Sequence, residues 1–359
     1  MNVRDTGKEA RAAVREPDAA TVRAAIRKVV DGEHLAEDEA AAVATAIMEG
    51  HATPAQIAAL LVGLRMKGET VQELVGFARV MRTKMRTCPV QSGTVIDTCG
   101  TGGDGRRTFN ISTATAIVAA AAGARVAKHG NRSVSSHCGS ADVLTALGVR
   151  IDAPPEVMAR CIDTIGIGFL FAPLYHPAMK HAIGPRREVG VRTIFNLIGP
   201  ITNPAGARRQ LLGIFDGVWA DPLARVLHRL GSTHCLIVHS EDGLDEISIA
   251  APTRVTELRD GTIRSYTIRP EDFGLASSPL SSIQTRDVED NVRFITEVLQ
   301  GRPGPARDVV LFNAGAAIYV AGVADSIADG IRRAREAIDT GRAWTVLETF
   351  RRMTTEATA

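Results

Sequence analysis

At 359 residues the chain is long enough to bury a large core, and the length favours two domains. Hydrophobic residues at 45% and charged residues at 23% fit a globular protein, and a net charge of +2 gives no reason to expect nucleic acid or a membrane as partner. Five cysteines without a CxxC pair argue against a disulfide framework and a zinc site, and no apolar run reaches membrane-spanning length.

The N-terminus is polar and lacks the apolar core of a secretory signal, so residues 1–17 read as a disordered lead-in and the location as cytoplasmic. Four short helices follow. Val22, Ala25, Ile26 and Val29 recur at helical spacing before Gly32, and Ala40, Val43, Ala44 and Ile47 form a second stripe ending at Gly50. Thr53 and Pro54 stand as cap and first-turn residue of a third helix, with Gly68 after it. Thr70 and Glu73 have capping-box spacing ahead of Val71, Leu74, Val75 and Ala78.

At Thr94 the pattern changes. "TVID" reads as a short strand, followed by a glycine-rich loop and the helix "STATAIVAAAAGA". "RVAKHGNRSVSSHCG" is strand then loop, and "SADVLTALGV" another helix. "QLLGIFDG" and "HCLIVHS" suit buried strands on either side of the helical "PLARVLHRLG". "TRVTELRDGTIRSYTI" is a hairpin turning at Asp260-Gly261, and helices run from Val309 onward. This alternation predicts an α/β fold: a small N-terminal helical domain and a larger domain with a mixed, largely parallel sheet flanked by helices.

Four stretches carry chemistry. In "DTCGTGGDGRRTFNIST", Gly100, Gly102 and Gly103 can bring main-chain N–H groups up to an anion just ahead of a helix N-terminus. The loop is neither a Walker A motif nor a dinucleotide fingerprint, and alone it fits a tight structural turn equally well. "KHGNRSVSS", Lys128 to Ser136, adds an ammonium, a guanidinium, an amide and hydroxyls after the next strand, which suits a ligand with more than one phosphate. Asp245 and Glu246 in "GLDEIS" could share a hard cation with those phosphates, although adjacent acids are usually just surface. In "YHPAMKHAIGPRREVGVRTIFNLIGPITNPAG", His176 and His181 lack zinc spacing, Arg186, Arg187 and Arg192 could clamp a carboxylate, and "GPITNP" reads as a rigid hinge.

In order and spacing, GTGGD, N-x-S-T, KHGNR-S-x-SS-x-x-GSADVL, HPAM, R-x-x-x-G-x-RTIFN-x-x-GP-x-TNP and GLDE resemble the anthranilate phosphoribosyltransferases. The resemblance covers nearly the whole chain; Val189, Thr145 and His137-Cys138 are its small departures. It implies transfer of the phosphoribosyl group of phosphoribosyl pyrophosphate to the amine of anthranilate, with release of pyrophosphate, in tryptophan biosynthesis. By that likeness Gly100, Gly103, Asp104, Thr108, Asn110, Ile111, Ser112, Thr113, Lys128, His129, Gly130, Asn131, Arg132, Ser133, Val134, Ser135, Ser136 and Ser140 hold phosphoribosyl pyrophosphate. Ser112, Asp245 and Glu246 would ligate Mg2+; Gly100, Asn131, His129, His176 and Arg186 would meet anthranilate; and Lys128, Asp104 and His129 would serve catalysis. Arg186 is chosen over Arg187 because the family's arginine stands six residues before that of "RTIFN", here Arg192. The likeness also implies a homodimer, a helical domain at 18–90 joined by helices from about 174–200, and an α/β domain from 91–170 and 201–359.

Two other classes compete with it. A pyrimidine nucleoside phosphorylase would not need the GLDE pair or Arg186, and an idle nucleic-acid-binding relative would need a basic excess that the charge does not supply. Cys99 and Cys138 each precede a glycine of a phosphate loop. Packing explains them, and oxidation that blocks substrate binding is the sharper alternative.

Overall fold

The computed structural model describes residues 18–91, 93–132 and 138–356, so the expected lead-in and Ser133, Val134, Ser135 and Ser136 of the second loop lie outside the described residues. The four expected helices are Ala19–Val30, Glu37–Met48, Pro54–Lys67 and Val71–Lys84. Their starts are set by side chains that take up otherwise unpaired N–H groups: Thr53 Oγ1 accepts from Gln56 N at 3.3 Å and Thr70 Oγ1 from Glu73 N at 3.3 Å. Glu73 does more than cap. It is fully buried, accepts from Leu35 N at 2.9 Å, and pairs with the buried Lys67 ammonium at 3.0 Å.

The sheet comprises β1 (Ile96–Asp97), β2 (Val126–Gly130), β3 (Ile167–Phe171), β4 (Arg209–Gly213), β5 (His234–Ser240), β6 (Thr253–Arg259) and β7 (Thr262–Ile268). Its order is β3-β2-β1-β4-β5-β6-β7; pairings among β1 to β5 are parallel, and β6 and β7 run antiparallel, so it is mixed and largely parallel as expected. Asp260 (φ 48°) and Gly261 (φ 83°) both take the left-handed conformation, which makes the two-residue hairpin turn match the strand twist. β3 was not expected. "IGFLF" is a short continuous apolar run, and periodicity cannot separate such a run from a buried helix segment. Helices Pro305–Ala321, Ile327–Asp339 and Arg342–Glu356 end the described chain, the first beginning at Pro305 rather than Val309.

Two apolar clusters hold the layers together. One joins the helical bundle, through Leu60, Leu64, Leu74 and Phe77, to Phe195, Ile198, Leu212, Leu223 and Ile237, so one face of the sheet is covered. The other packs Ile117, Val126, Phe169, Leu236, Phe312 and Phe350. No helix among the described residues is long and apolar enough to cross a membrane.

Strand order reverses direction at β1, with β2 on one side and β4 on the other. In a parallel sheet that reversal opens a crevice at the carboxyl ends of the strands. The loops after β1, β2, β4 and β5 all leave from that edge.

Candidate active site

The loop after β1 is pinned across the end of β4. Thr101 N donates to the Gly213 carbonyl at 2.8 Å, and Phe215 N donates to Thr101 Oγ1 at 2.9 Å. A Cβ at Gly100 would stand 2.9 Å from the Gly213 carbonyl oxygen, so glycine is required for this approach. Gly102 N donates to Asp245 Oδ2 at 2.8 Å, and the Arg192 guanidinium donates to the Gly103 carbonyl while lying 3.9 Å from the Phe215 ring centroid. Asp104 Oδ1 accepts from Arg106 N at 3.0 Å, and its other oxygen lies 3.4 Å from Asp245 N.

Asp104, Asp245 and Glu246, all half-buried, therefore crowd one end of the crevice. Burial, and then the charge of Asp104, raises the Asp245 carboxyl. Burial and the neighbouring Asp245 hold Glu246 well above the usual carboxylate range, against the opposing pull of Lys128. Lys128 is only 3% exposed; its Nζ donates to Ser112 Oγ at 3.0 Å and lies 3.5 Å from Thr98 Oγ1. Ser112 sits in the first turn of helix Ile111–Ala121. Oxygen donors that raise one another's proton affinity are the donor set that a hard divalent cation relieves, so these residues fit Mg2+.

Near the end of β2 stands His129, whose ring lies 5.1 Å from that of His176. Burial pushes the two imidazoles down to about 3 and about 4, so both are neutral at physiological pH. Neither ring nitrogen of His129, nor Nε2 of His176, has a hydrogen-bond partner among the described residues. A Cβ at Gly130 would meet Ser140 Oγ and stand 2.6 Å from the Phe169 ring, so any larger residue there would have to displace that buried ring. Ser140 Oγ in turn donates to the Asn131 carbonyl at 3.4 Å. Asn131 and Arg132 are exposed, and Arg132 pairs with Asp142 at 2.6 Å.

Other expected ligand residues also make contacts within the scaffold, while Thr113 Oγ1 is buried with no hydrogen-bond partner among the described residues. Asn110 Nδ2 donates to the Cys138 carbonyl at 3.2 Å and to Asn291 Oδ1 at 3.3 Å, bracing the two loops. Thr108 forms an isolated bridge with Gln284. Ile111 is buried with its N–H on the Phe109 carbonyl, and Thr113 is buried with its N–H on the Asn110 carbonyl. Arg186 stands on helix Lys180–Val189, half-buried, its guanidinium 5.1 Å from the Phe195 ring centroid. Burial lowers its pKa, and no carboxylate pairs with it among the described residues; Arg187 is exposed. His181 packs near Gly50, in the helical bundle.

Burial raises both loop thiols, Cys138 to about 11 and Cys99 further still, which leaves them protonated and favours packing over redox chemistry. The residue that sequence reasoning passed over is Asp97, a fully buried acid at the end of β1. An acidic side chain closing the apolar run "TVID" was the available signal.

Residues 92–344 match the glycosyl transferase family a/b domain, and residues 23–85 the helical bundle domain of that family. The anthranilate phosphoribosyltransferase of Thioalkalivibrio sulfidiphilus is 61% identical over 319 residues, covering 89% of this chain and 94% of the relative. That of Moorella thermoacetica is 54% identical over 322 residues, covering 90% and 95%. The crystal structure of anthranilate phosphoribosyltransferase from Thermus thermophilus superposes with a TM-score of 0.87 at 44% identity, over 92% of this chain and 99% of that one. Sequence, domain content and fold agree: the chain belongs to the anthranilate phosphoribosyltransferase family.

Proposed function

We propose that the crevice at the carboxyl ends of β1, β2, β4 and β5 transfers the phosphoribosyl group of phosphoribosyl pyrophosphate to the amine of anthranilate, as the family name describes. The grouping of Asp104, Asp245 and Glu246 beside the buried Lys128–Ser112 pair carries this reading. It is a site for a polyphosphate and a cation rather than for inorganic phosphate alone. An anthranilate phosphoribosyltransferase from Saccharomyces cerevisiae has been solved in complex with PRPP and Mg, and it shares the fold at a TM-score of 0.87 and 24% identity.

Ser112, Asp245 and Glu246 would hold Mg2+, which when bound neutralises charge on the departing pyrophosphate. In the reaction the anthranilate nitrogen forms a bond to ribose C1 as the bond from C1 to the pyrophosphate oxygen breaks, the electron pair leaving with pyrophosphate. Lys128 would face the charge that develops there, with those glycine-loop N–H groups that are not bonded to Asp97, Gly213 and Asp245, and stabilisation by such fixed groups is usually the largest catalytic contribution. The product nitrogen must then lose a proton. His129 and His176 are neutral and offer unpartnered ring nitrogens that can accept a hydrogen bond from the amine; an arylammonium is acidic enough that a weak base suffices. Arg186, desolvated and without a carboxylate partner, fits the anthranilate carboxylate.

In this reading the helical unit 18–90, with the segment 174–200, supplies Arg186 and His176, and the α/β unit supplies the phosphate loops. Val30, Met66 and Ile183 expose 70%, 83% and 44% of their surface on the helical unit, and we place the homodimer contact there. Product analysis tests the function. Phosphoribosyl pyrophosphate plus anthranilate should give equal amounts of N-(5-phosphoribosyl)anthranilate and pyrophosphate. Transfer to a nucleobase, with anthranilate left unused, would overturn the acceptor assignment.

A further inference from the structure

Asp97 is itself assigned no contact with substrate, yet its carboxylate joins the glycine loop, the Lys128–His129 strand end and the segment that follows Arg186. Its Oδ1 accepts from Cys99 N at 3.0 Å, one residue before Gly100 of the glycine loop. The same oxygen accepts from His129 N at 3.1 Å, one residue after Lys128. Its Oδ2 accepts from Asn203 Nδ2 at 2.7 Å, in the Gly199–Pro204 segment that returns from Arg186 and Phe195 to the sheet. Asn203 is itself held: its Nδ2 also donates to the Ala127 carbonyl at 2.7 Å, and its Oδ1 accepts from Ala205 N at 2.8 Å. A second bridge of the same kind stands alongside, where Gln210 Nε2 donates to the Cys99 carbonyl at 3.2 Å and the Pro200 carbonyl at 2.8 Å.

We infer that Asp97 is a positioning residue for phosphoribosyl transfer: one buried carboxylate sets the glycine loop, the Lys128–His129 strand end and the Asn203 segment in a single mutual register. That inference rests on the reading of the crevice as the active site. A carboxylate is needed because three donors converge on two oxygens. An asparagine that keeps both main-chain N–H bonds on its oxygen must turn its NH2 toward Asn203 Nδ2, donor against donor. The bond between residues 97 and 203 is then lost while the strand and loop bonds remain. The ionisable groups around Asp97 are Lys128 and His129 on β2 and Cys99 just after β1; Lys128 favours the ionised form. Burial outweighs Lys128 and the three donors and lifts the Asp97 carboxyl to about 6, so the hub passes to its protonated form on mild acidification.

The test compares Asp97→Asn, Asn203→Ala and the double variant with the wild type. Misplacing catalytic groups by about 1 Å costs roughly 100-fold, so Asp97→Asn should lower kcat by about 10- to 100-fold. Both KM values should move less than about threefold, because the groups that bind substrate are kept. The acidic limb of the wild-type kcat profile near pH 6, measured at saturating Mg2+, should vanish in Asp97→Asn. Asn203→Ala should reproduce the loss in kcat, and the double variant should be no worse than either single, as expected of residues that act as a unit. If Asp97→Asn fails to fold, Asn203→Ala decides alone: unchanged kcat overturns the inference. So do losses that multiply in the double variant, or a kcat for Asp97→Asn within twofold of wild type. Failure of the active-site reading itself would show differently, as a wild type that consumes no anthranilate.

Discussion

Replacing Arg186 with alanine should separate binding of the acceptor from stability of the fold. The guanidinium is half-buried, its pKa is lowered by burial, and no carboxylate offsets that cost among the described residues. In the folded protein its one described contact beyond burial is the Phe195 ring, at 5.1 Å, worth about 0.5–1 kcal/mol. Removing it also removes the desolvation penalty of a charge, so the melting temperature should stay within about 2 °C of wild type. The anthranilate complex loses a forked pair of charge-assisted bonds, each worth about 1.5–3 kcal/mol. A net loss of about 3 kcal/mol corresponds to a fall of about 150-fold in kcat/KM for anthranilate. The KM for phosphoribosyl pyrophosphate should change less than about threefold. Arg186→Lys should recover little, because a point charge cannot reproduce the fork. The assay is steady-state kinetics with each substrate varied in turn, beside a thermal melt. Equal losses toward both substrates, or a melt lowered by many degrees, would instead make Arg186 structural.

Acid stability should reflect Glu257. Burial alone would raise its carboxyl, but bonds from His234, Arg264, Tyr319 and Tyr266 outweigh burial and bring it down to about 2. A depressed acid contributes stability that is complete above its unfolded value near 4.5 and lost as the pH falls towards 2; the shift amounts to about 3 kcal/mol. Denaturant melts of wild type and Glu257→Gln from pH 6 to pH 2.5 should therefore converge, and parallel curves would contradict this. Glu73→Ala should destabilise the helical bundle by about 3–5 kcal/mol, since it strands the buried Lys67 ammonium. Adding Lys67→Met should restore part of that loss in a thermal melt, and no recovery would mean the damage comes from the lost bonds to Leu35 N and Thr70 N rather than from the ammonium. Cys99 should react slowly with thiol reagents at pH 7, with and without phosphoribosyl pyrophosphate, because burial keeps it protonated. Fast labelling that the substrate blocks would support the redox alternative.

Much of this was legible because it depends on local rules. Thr53 and Thr70 announced their helices by capping chemistry, and Asp260-Gly261 announced the hairpin by its need for two left-handed residues. The family resemblance implies that Lys128, Ser112, Asp245 and Glu246 share one site, and the structure brings Lys128 to Ser112 at 3.0 Å. What stayed hidden depends on contacts between residues distant in the chain. Glu73 looked like a cap, and only the fold shows it receiving Leu35 N and Lys67. Asp97 and Asn203 are 106 positions apart, and neither segment alone shows that their side chains meet. The bracing role of Asn110, whose amide donates to the Cys138 carbonyl and to Asn291 Oδ1, is likewise visible only in the fold. β3 was silent because "IGFLF" lacks a period that would distinguish strand from buried helix.

In the proposed reaction the acidic residues, Lys128 and Arg186 serve one cation-dependent transfer to anthranilate. Anthranilate fluorescence, followed in the presence of phosphoribosyl pyrophosphate with and without Mg2+, tests it most directly. Loss of the anthranilate signal with Mg2+, and none without it, is the predicted result. A folded protein that binds phosphoribosyl pyrophosphate but leaves anthranilate untouched at saturating Mg2+ would rule out anthranilate as the acceptor.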